Sequence, residues 1–235
     1  MSKNPFSIGM PIYPDANLLD ITGPYQVFAT PFWNTSVKLV AASSAPVKTL
    51  EGMSLFPDVT FDDCPPLDML FVPGGPGQYD MMADGQYIGF LKRQGQSAKY
   101  VASVCTGALL LGAAGLLDGY KATTHWAAIP CLQLFPEIEV MPMYPRYVVD
   151  RKGDSVRITG GGVSSGIDEA FEIVSIIAGQ DAAQDIQLFL QYAPRPPFNG
   201  GDPATASPSA YDTVWAAMKP MAQKRIKQVE QMLNG

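Results

Sequence analysis

Two short segments of the chain are apolar at nearly every position, and they constrain the fold more than any other feature. They are "LFVP" (70–73) and "YVASV" (100–104). A strand with one face in water alternates apolar and polar side chains, whereas a strand in a parallel sheet is covered on both faces and is apolar throughout. Both segments are therefore predicted to be central strands of a parallel sheet.

Other segments extend this pattern along the chain. "FSIGMPIY" (6–13) and "VKLVAAS" (37–43) are predicted strands, and helical patterns such as "GQYIGFLKRQGQ" (85–96) lie between strands. Pro11 is expected among the last residues of the first strand, because proline cannot donate to a sheet ladder. "RYVVDRKGDSVRIT" (146–159) predicts a β-hairpin, inserted before a late helix. Strands that alternate with helices indicate an α/β fold with a mainly parallel sheet.

The size and composition of the chain suit one main domain. Its 235 residues are 47% hydrophobic and 16% charged, enough to bury one large core. Residues 1–195 are predicted to form the α/β domain. Residues 196–235 are predicted to be an extended segment and a helix, which packs on the same domain or on a dimer partner. Pro220 lies inside that helix and predicts a kink or two separate pieces.

Charge and cysteine content narrow the partners and the compartment. Sixteen Lys and Arg stand against twenty-two Asp and Glu, and the one short basic run is "KRIK" (224–227). We therefore expect no nucleic-acid partner. No stretch is long and apolar enough for a membrane span, and the N-terminus does not resemble a secretory signal. Three cysteines, an odd number, suit free thiols in a reducing cytoplasm.

The segment "YVASVCTGALLLGAAGLL" (100–117) places Cys105 between a predicted strand and a predicted helix. A nucleophile on such a turn needs small residues two positions before and after it, and Ser103 and Gly107 satisfy this requirement. A helix that starts near Thr106 would point its free N–H groups at the sulfur and favour the thiolate. The alternative is a buried structural cysteine, which is also how we interpret Cys64 and Cys131.

The segment "VPGGPGQYD" (72–80) follows the other central strand. Two successive glycines there allow backbone N–H groups to face the crevice above the sheet. If the two strands are neighbours, the amides of Gly75 and Thr106 converge on charge that develops on an atom bound to Cys105. The alternative is a tight connection without a function.

Two side chains compete for the role of proton carrier. Asp20, in "NLLDITGPYQVF" (17–28), follows the first strand and is predicted to face the crevice of Cys105. It could instead cap the following helix, although Thr22 is also suited to that position. His125, the single histidine, is the one imidazole available for a Cys–His dyad. The glycine run in "TGGGVSSGID" (159–168) would let a backbone approach the same crevice.

These motifs together resemble the DJ-1/PfpI superfamily. Within it, "LLDITGPYQVF", "PGGPG", "SVCTGALLLGAAGLLDG", "KATTHW", "GGGVSSGID" and "LQYAPRPPFNGG" resemble the isocyanide hydratases. The resemblance implies a flavodoxin-like three-layer α/β sandwich with a mainly parallel central sheet, and a homodimer. Thr106 departs from the peptidase-like branch of the superfamily, which carries His directly after its Cys, so proteolysis is not expected.

The resemblance also implies an activity and a set of site residues. The expected reaction adds water to an isocyanide and gives an N-formamide through a thioimidate on Cys105, in an apolar pocket, without a metal or an organic cofactor. Cys105 is the expected nucleophile, with Asp20 as the proton carrier and Thr106 beside the sulfur. The expected oxyanion-binding and substrate-binding residues come from the glycine-rich and C-terminal motifs: Gly75, Pro76, Val163 and Tyr192.

Two other functions remain open, and a third is not expected. A glyoxalase-like or deglycase-like enzyme of the same superfamily keeps the cysteine and attacks a carbonyl carbon. A redox sensor would use the thiol without turnover. AraC-like regulators share parts of these motifs, but their DNA-binding helix-turn-helix region follows the sandwich, and here a single further helix is predicted, so we do not expect that role.

Overall fold

A computed structural model describes residues 4–234, and in this range the chain forms eleven strands and eight helices. The strands are β1 (Phe6–Pro11), β2 (Thr35–Ala41), β3 (Val47–Lys48), β4 (Ser54–Leu55), β5 (Val59–Thr60), β6 (Met69–Val72), β7 (Tyr100–Ser103), β8 (Lys121–Ala122), β9 (Glu139–Val140), β10 (Tyr147–Lys152) and β11 (Ser155–Gly160). The helices are α1 (Leu18–Phe28), α2 (Gln78–Ala83), α3 (Gly85–Ser97), α4 (Gly107–Ala113), α5 (Ile129–Leu132), α6 (Ser165–Ala178), α7 (Gln180–Phe189) and α8 (Pro208–Asn234), and a 3₁₀ turn spans Trp126–Ala128.

Seven of these strands form one twisted sheet in the order β10-β11-β7-β6-β1-β2-β5. Neighbouring strands are parallel, except that β10 and β11 are antiparallel. β6 and β7 lie side by side near the centre, and every residue of both is buried. The predicted α/β fold with a mainly parallel sheet is confirmed, and β1 ends at Pro11 as expected.

Helices cover both faces of this sheet. α1 packs against α6, and α6 against α7, while α2, α3, α4 and α5 form a second group. α1 and α6 meet closely, because a side chain at Gly166 would lie 3.1 Å from Pro24 and 3.2 Å from Val104. Two helical layers around one sheet are the flavodoxin-like sandwich that the sequence predicts.

The hairpin of β10 and β11 is part of the central sheet, so its prediction as an insertion is wrong. β11 pairs in parallel with β7, and most of its residues are buried. Arg157 and Thr159 are polar, so the sequence does not show that β11 is buried, but both side chains have hydrogen-bond partners inside the protein. Arg157 Nε donates to the Leu116 carbonyl (2.9 Å), and Thr159 Oγ1 accepts from the Thr123 amide (2.8 Å).

The C-terminal helix α8 runs as one element through Pro220. Of the two predicted outcomes, a kink or two separate pieces, the second is therefore wrong. It packs on α5 and on the 3₁₀ turn of its own chain. Its buried residues are Ala222, Arg225 and Val229, which are about one helical turn apart and therefore share one face. Gln228 Nε2 donates to the Tyr79 carbonyl (2.6 Å). This face holds the helix against the α/β domain, although the proline removes one internal hydrogen bond.

Four adjacent strands end at the same edge of the sheet. β1 leads to Asp20, β6 to Gly74, β7 to Cys105 and β11 to Gly161. The carboxyl edge of a parallel sheet is where α/β proteins bind their ligands. The residues that follow these strands are therefore the candidates for a functional site.

Candidate active site

Cys105 occupies a strained turn between β7 and α4. Its φ is +56°, in the left-handed region that residues other than glycine rarely adopt. Two hydrogen bonds hold its backbone there: its amide donates to the Gly161 carbonyl (2.8 Å), and its carbonyl accepts from Thr124 Oγ1 (2.6 Å). Strain held in place by bonds to other elements is typical of nucleophile turns.

The crowding around this turn explains the small residues beside Cys105. A side chain at Gly107 would place its Cβ 2.3 Å from the Val72 carbonyl oxygen and 3.0 Å from that of Pro73. Ser103, two positions before the cysteine, is fully buried. The structure thus meets the steric requirement on which the sequence argument rests.

Asp20 lies in the first turn of α1 and is fully buried. Its Oδ2 accepts the Gly74 amide (3.0 Å), and no group in the described range donates to Oδ1 with normal hydrogen-bond geometry. Asp20 does not cap the helix, because Asn17 is the N-cap and accepts the Leu19 amide (3.2 Å). Thr22, the other candidate for the cap, does not cap the helix either, since its hydroxyl donates back to the Leu18 carbonyl (2.9 Å).

Burial governs the protonation of Asp20. It raises the pKa of the carboxyl group from its ordinary value to about 7, and the charge of Glu51 adds to the rise. The Gly74 amide and a contact with the Cys105 thiol act in the opposite direction. Near neutral pH, Asp20 can therefore either hold a proton or accept one.

The Cys105 thiol is also buried, and burial raises its pKa well above the ordinary value. The charge of Asp20 raises it further, while the Thr106 amide and the charge of Arg225 lower it. The expectation of a resting thiolate is therefore wrong for the free site, because desolvation outweighs the nearby N–H group. Cys105 and Asp20 instead face each other as a thiol and a carboxyl group between which a proton can move.

The Gly74–Gly75 turn belongs to the site, but not in the way the sequence suggests. The Gly75 amide donates to Thr106 Oγ1 (3.0 Å), and the Thr106 hydroxyl donates back to the Gly75 carbonyl (3.2 Å). The Gly75 amide is therefore occupied and does not converge on the sulfur with that of Thr106. Gly74 packs directly against the site, because a Cβ there would lie 2.5 Å from the Thr106 nitrogen and 2.9 Å from Asp20 Oδ2.

A cavity of about 330 Å³ borders the Cys105 turn, and Gly161 and Thr124, which bond the cysteine backbone, are among its walls. Val163 lines it, as predicted for a substrate-binding residue. The walls are mixed rather than apolar. Leu19 and Trp126 are apolar parts of them, and Arg146 and His125 are polar parts.

His125 lies in the wall of this cavity in a form unsuited to a base. Its Nδ1 accepts the Ala127 amide (3.2 Å), which caps the 3₁₀ turn. Burial, together with the charge of Arg225, lowers the pKa of His125 to about 4. A neutral ring that accepts at Nδ1 carries its proton on Nε2. It can donate a hydrogen bond, but it cannot take a proton from Cys105 as a dyad requires.

The other two predicted binding residues, Pro76 and Tyr192, do not line this cavity. Tyr192 donates to Asp168 Oδ1 (2.6 Å) and stacks on Phe171 at 5.1 Å, in a separate groove. Pro76 is partly buried, and its carbonyl accepts the Tyr79 amide (3.1 Å). Substrate contact by Tyr192 and Pro76 therefore stays a prediction.

Arg225 is a site residue that the sequence analysis missed. It belongs to α8, its side chain is buried, and its Nη2 donates to the Gly75 carbonyl (3.3 Å). It lies within "KRIK", which as a basic run suggests a solvated helix face. The helical spacing of Ala222, Arg225 and Val229 is the signal that could have placed it on the buried face.

Glu169 of α6 was also missed. It is fully buried, and neither carboxyl oxygen has a hydrogen-bond partner in the described range. Burial, and to a smaller extent the charge of Asp20, raises the pKa of Glu169 well above the ordinary value, which favours the protonated acid over the carboxylate. A Cβ at Gly160 would lie 2.3 Å from Glu169 Oε2, so this glycine makes room for the carboxyl group.

Within residues 4–234, no group of three or more His, Cys, Asp or Glu side chains could hold a metal ion. None of the helices in that range is both long and apolar enough to cross a membrane.

The fold and this site define a flavodoxin-like α/β protein with a cysteine on a strained turn at the carboxyl edge of its sheet. The family model of the DJ-1/PfpI family matches residues 7–175. The chain therefore belongs to the DJ-1/PfpI family, as the sequence motifs predict.

Individual proteins and one solved structure are also similar to this chain. The isonitrile hydratase of Pseudomonas putida is 42% identical over 223 residues, which cover 95% of this chain and 94% of the hydratase. The crystal structure of a ThiJ/PfpI family protein from Pseudomonas syringae matches with a TM-score of 0.88 at 35% identity, covering 96% of this chain and 91% of that one. The HTH-type transcriptional regulator CdhR of Pseudomonas aeruginosa is 30% identical over 153 residues, covering 63% of this chain and 42% of the regulator.

Proposed function

We propose that the chain is an isocyanide hydratase, which adds water to an isocyanide (isonitrile) and releases an N-formamide. The observation that carries the proposal is the buried pair of Cys105 and Asp20, whose side chains are in contact, close to a cavity walled by Gly161 and Thr124, which bond the Cys105 backbone. The similarity to a hydratase over 95% of the chain supports the choice of substrate.

The first half of the reaction uses the one proton that the pair shares. Asp20 takes the thiol proton of Cys105 as Sγ bonds to the isocyanide carbon, and it then delivers this proton to the same carbon. The product is a thioimidate, R–N=CH–S–Cys105, which contains every atom of the thiol and the isocyanide. The Thr106 amide faces the sulfur and stabilises negative charge on it during the transfer.

The second half returns the enzyme to its starting state. Water adds its oxygen to the thioimidate carbon, and Asp20 transfers a proton from that water to the nitrogen. The C–S bond then breaks as the hydroxyl proton moves to sulfur, which gives R–NH–CHO and the free thiol. An Asp20 with a pKa of about 7 suits this alternation of acid and base, because both of its forms are populated near neutral pH.

Infrared spectroscopy tests the proposal directly. The protein is incubated with cyclohexyl isocyanide or para-nitrophenyl isocyanide, and the isocyanide stretch is followed with the Cys105→Ala variant as control. We expect loss of the stretch, formation of the N-formamide and no turnover by the variant. Turnover of methylglyoxal without any loss of isocyanide would instead identify the carbonyl-directed enzyme, and no turnover of either would favour a thiol sensor.

We also propose that the protein works as a cytoplasmic homodimer, with residues 1–195 as the α/β domain that holds Cys105 and Asp20. The excess of acidic over basic residues supports the expectation that nucleic acid is not a partner. Light scattering on the purified protein tests the dimer.

A further inference from the structure

Arg225 is a buried cation at the edge of the candidate active site. Its residue is 6% exposed, one guanidinium nitrogen donates to the Gly75 carbonyl (3.3 Å), and Nε has no acceptor in the described range. Arg157, the other deeply buried arginine, donates through Nε to the Leu116 carbonyl (2.9 Å) and serves the core. A buried cation with so few acceptors is costly for the fold, which points to a purpose beyond packing.

The bond from Arg225 enters the network that holds the catalytic pair. The Gly75 carbonyl accepts both Arg225 Nη2 and the Thr106 hydroxyl, and the Gly75 amide donates to the same hydroxyl. The adjacent Gly74 amide binds Asp20. Arg225 thus fixes, from α8, the turn that positions Thr106 on one side and Asp20 on the other.

The charge of Arg225 also reaches the sulfur. It lowers the pKa of Cys105, against burial and the charge of Asp20, and it lowers the pKa values of Tyr13 and His125 as well. The titratable and charged groups around the Cys105 thiol come from several elements: Asp20 from α1, Tyr13 from the segment after β1, and Arg225 from α8. Arg225 is the cation among them.

We propose that Arg225 is a positioning residue that α8 contributes to the active site. It locks the Gly74–Gly75 turn and supplies the positive charge that stabilises sulfur when the thiol proton moves to Asp20. Its effect on turnover rests on the proposed hydratase function, whereas its effect on the thiol does not. The match to the DJ-1/PfpI family ends at residue 175, so the family assignment does not account for this residue.

The proposal gives the C-terminal helix a role in chemistry. α8 begins at Pro208, beyond the family match, whereas the similarity to the isonitrile hydratase leaves only a twentieth of this chain uncovered. That uncovered part is shorter than α8, so at least part of the helix is shared with the hydratase.

The test measures the reactivity of Cys105 without using the substrate. Iodoacetamide labelling is followed against pH by peptide mass spectrometry in wild type, Arg225→Met, Arg225→Gln and Arg225→Lys. The partly exposed Cys64 of the same molecules serves as internal reference. Lys227→Met is the matched control, because it removes an exposed positive charge two residues away on the same helix.

We expect both neutral variants to raise the apparent pKa of Cys105 labelling by about one unit, which slows labelling about tenfold at a pH below that pKa. Arg225→Lys and Lys227→Met should stay close to wild type, and Cys64 should not change. Gln keeps a polar but uncharged side chain at this position, so Arg225→Gln removes the charge and keeps the test usable if Met disturbs folding. With an isocyanide as substrate, Arg225→Gln should lower kcat more than it raises KM.

Wild-type labelling profiles in folded Arg225→Met and Arg225→Gln would overturn the proposal. A profile of Arg225→Lys as displaced as those of the neutral variants would overturn the role of charge. If wild type labels as expected but consumes no isocyanide, the proposed function fails while the inference on Arg225 stands.

Discussion

The proton on Asp20 decides what the candidate site can do. Burial raises the pKa of the carboxyl group to about 7, and the Gly74 amide and the Cys105 thiol act against burial by stabilising the carboxylate. The neighbouring thiol has its pKa raised by the same burial, so it keeps its proton until a base removes it. Nucleophile and base are therefore useful only together.

Replacing Asp20 by Asn tests this dependence. The amide oxygen can still accept the Gly74 amide, so the fold should survive, but the side chain cannot carry a proton. We expect kcat for isocyanide hydration to fall by about 10²- to 10⁴-fold, the usual contribution of a general acid–base group, with an unchanged melting temperature. His125→Asn is the comparison, because Asn can also cap the 3₁₀ turn, and its loss should be much smaller.

The pH profile of the wild-type enzyme gives a second readout of the same group. The first step needs Asp20 as a carboxylate, so kcat/KM should fall as the pH drops through about 7, the raised pKa of Asp20. A profile that stays flat down to pH about 5 would contradict the assignment of Asp20 as base. A strong loss in His125→Asn with unchanged melting would restore the dyad.

Gly74→Ala tests the close packing of the turn. Its Cβ would lie 2.5 Å from the Thr106 nitrogen and 2.9 Å from Asp20 Oδ2, so the turn must shift away from both. We expect at least a tenfold loss of kcat/KM, about 1.4 kcal/mol or more in transition-state binding, and a lower melting temperature.

Gly89→Ala in α3 is the control, because a Cβ there meets only Arg93 at 3.6 Å. It should raise stability by about 1 kcal/mol through helix propensity and leave activity unchanged. Equal activities for the two variants would show that the turn does not position Asp20.

The sequence predicts the role of a single residue when the features that determine this role lie nearby in the chain. Cys105 was predictable because the small residues and the strand-to-helix change lie within a few positions of it. The role of Gly75 was not predictable, because its amide donates to the Thr106 hydroxyl, and this contact depends on how two distant segments of the chain pack together. Arg225 was missed because the carbonyl it binds lies 150 positions away along the chain.

At the scale of elements, α6 carries the buried carboxyl group of Glu169 in its packed face. The folded-state pKa of Glu169 is raised well above its ordinary value of 4.5, so the folded protein holds this proton more tightly than the unfolded chain. Its contribution to the free energy of unfolding is therefore complete below about pH 4.5. It declines as the pH rises from there toward the folded pKa.

Glu169→Gln tests that linkage, because Gln matches the protonated acid in shape and does not titrate. We expect the variant to unfold at a higher denaturant midpoint than wild type at pH 7 and at a similar midpoint near pH 4. The difference should grow as the pH rises above about 4.5, by at most about 1.4 kcal/mol per pH unit. A difference that is independent of pH would mean that folding does not raise the pKa of Glu169.

Elements were predictable where their burial was uniform. β6 and β7 are apolar throughout, and their central position follows from that pattern alone. β11 contains Arg157 and Thr159, which look exposed until the carbonyl and amide that satisfy them are known. The continuity of α8 through Pro220 depends on the surface that its buried face covers, which the local sequence does not reveal.

At the scale of the whole molecule, the parallel sheet gathers residues that are far apart in the chain. Four strands end at one edge and bring together Asp20, Gly74, Cys105 and Gly161, while α8 adds Arg225 from beyond the sheet. The sandwich was predictable from the alternation of strands and helices. The contribution of the last helix was not, because the sequence left open whether it covers its own chain or a partner.

The proposed reaction requires that the isocyanide carbon bonds to Cys105 during turnover. Acid quenching of the wild-type enzyme with para-nitrophenyl isocyanide, followed by peptide mass spectrometry, detects this bond. We expect the peptide containing Cys105 to gain the mass of one whole isocyanide molecule, since no atom leaves when the thioimidate forms, while Cys64 and Cys131 stay unmodified. Turnover with an unmodified Cys105 peptide, together with activity retained in Cys105→Ala, would contradict it.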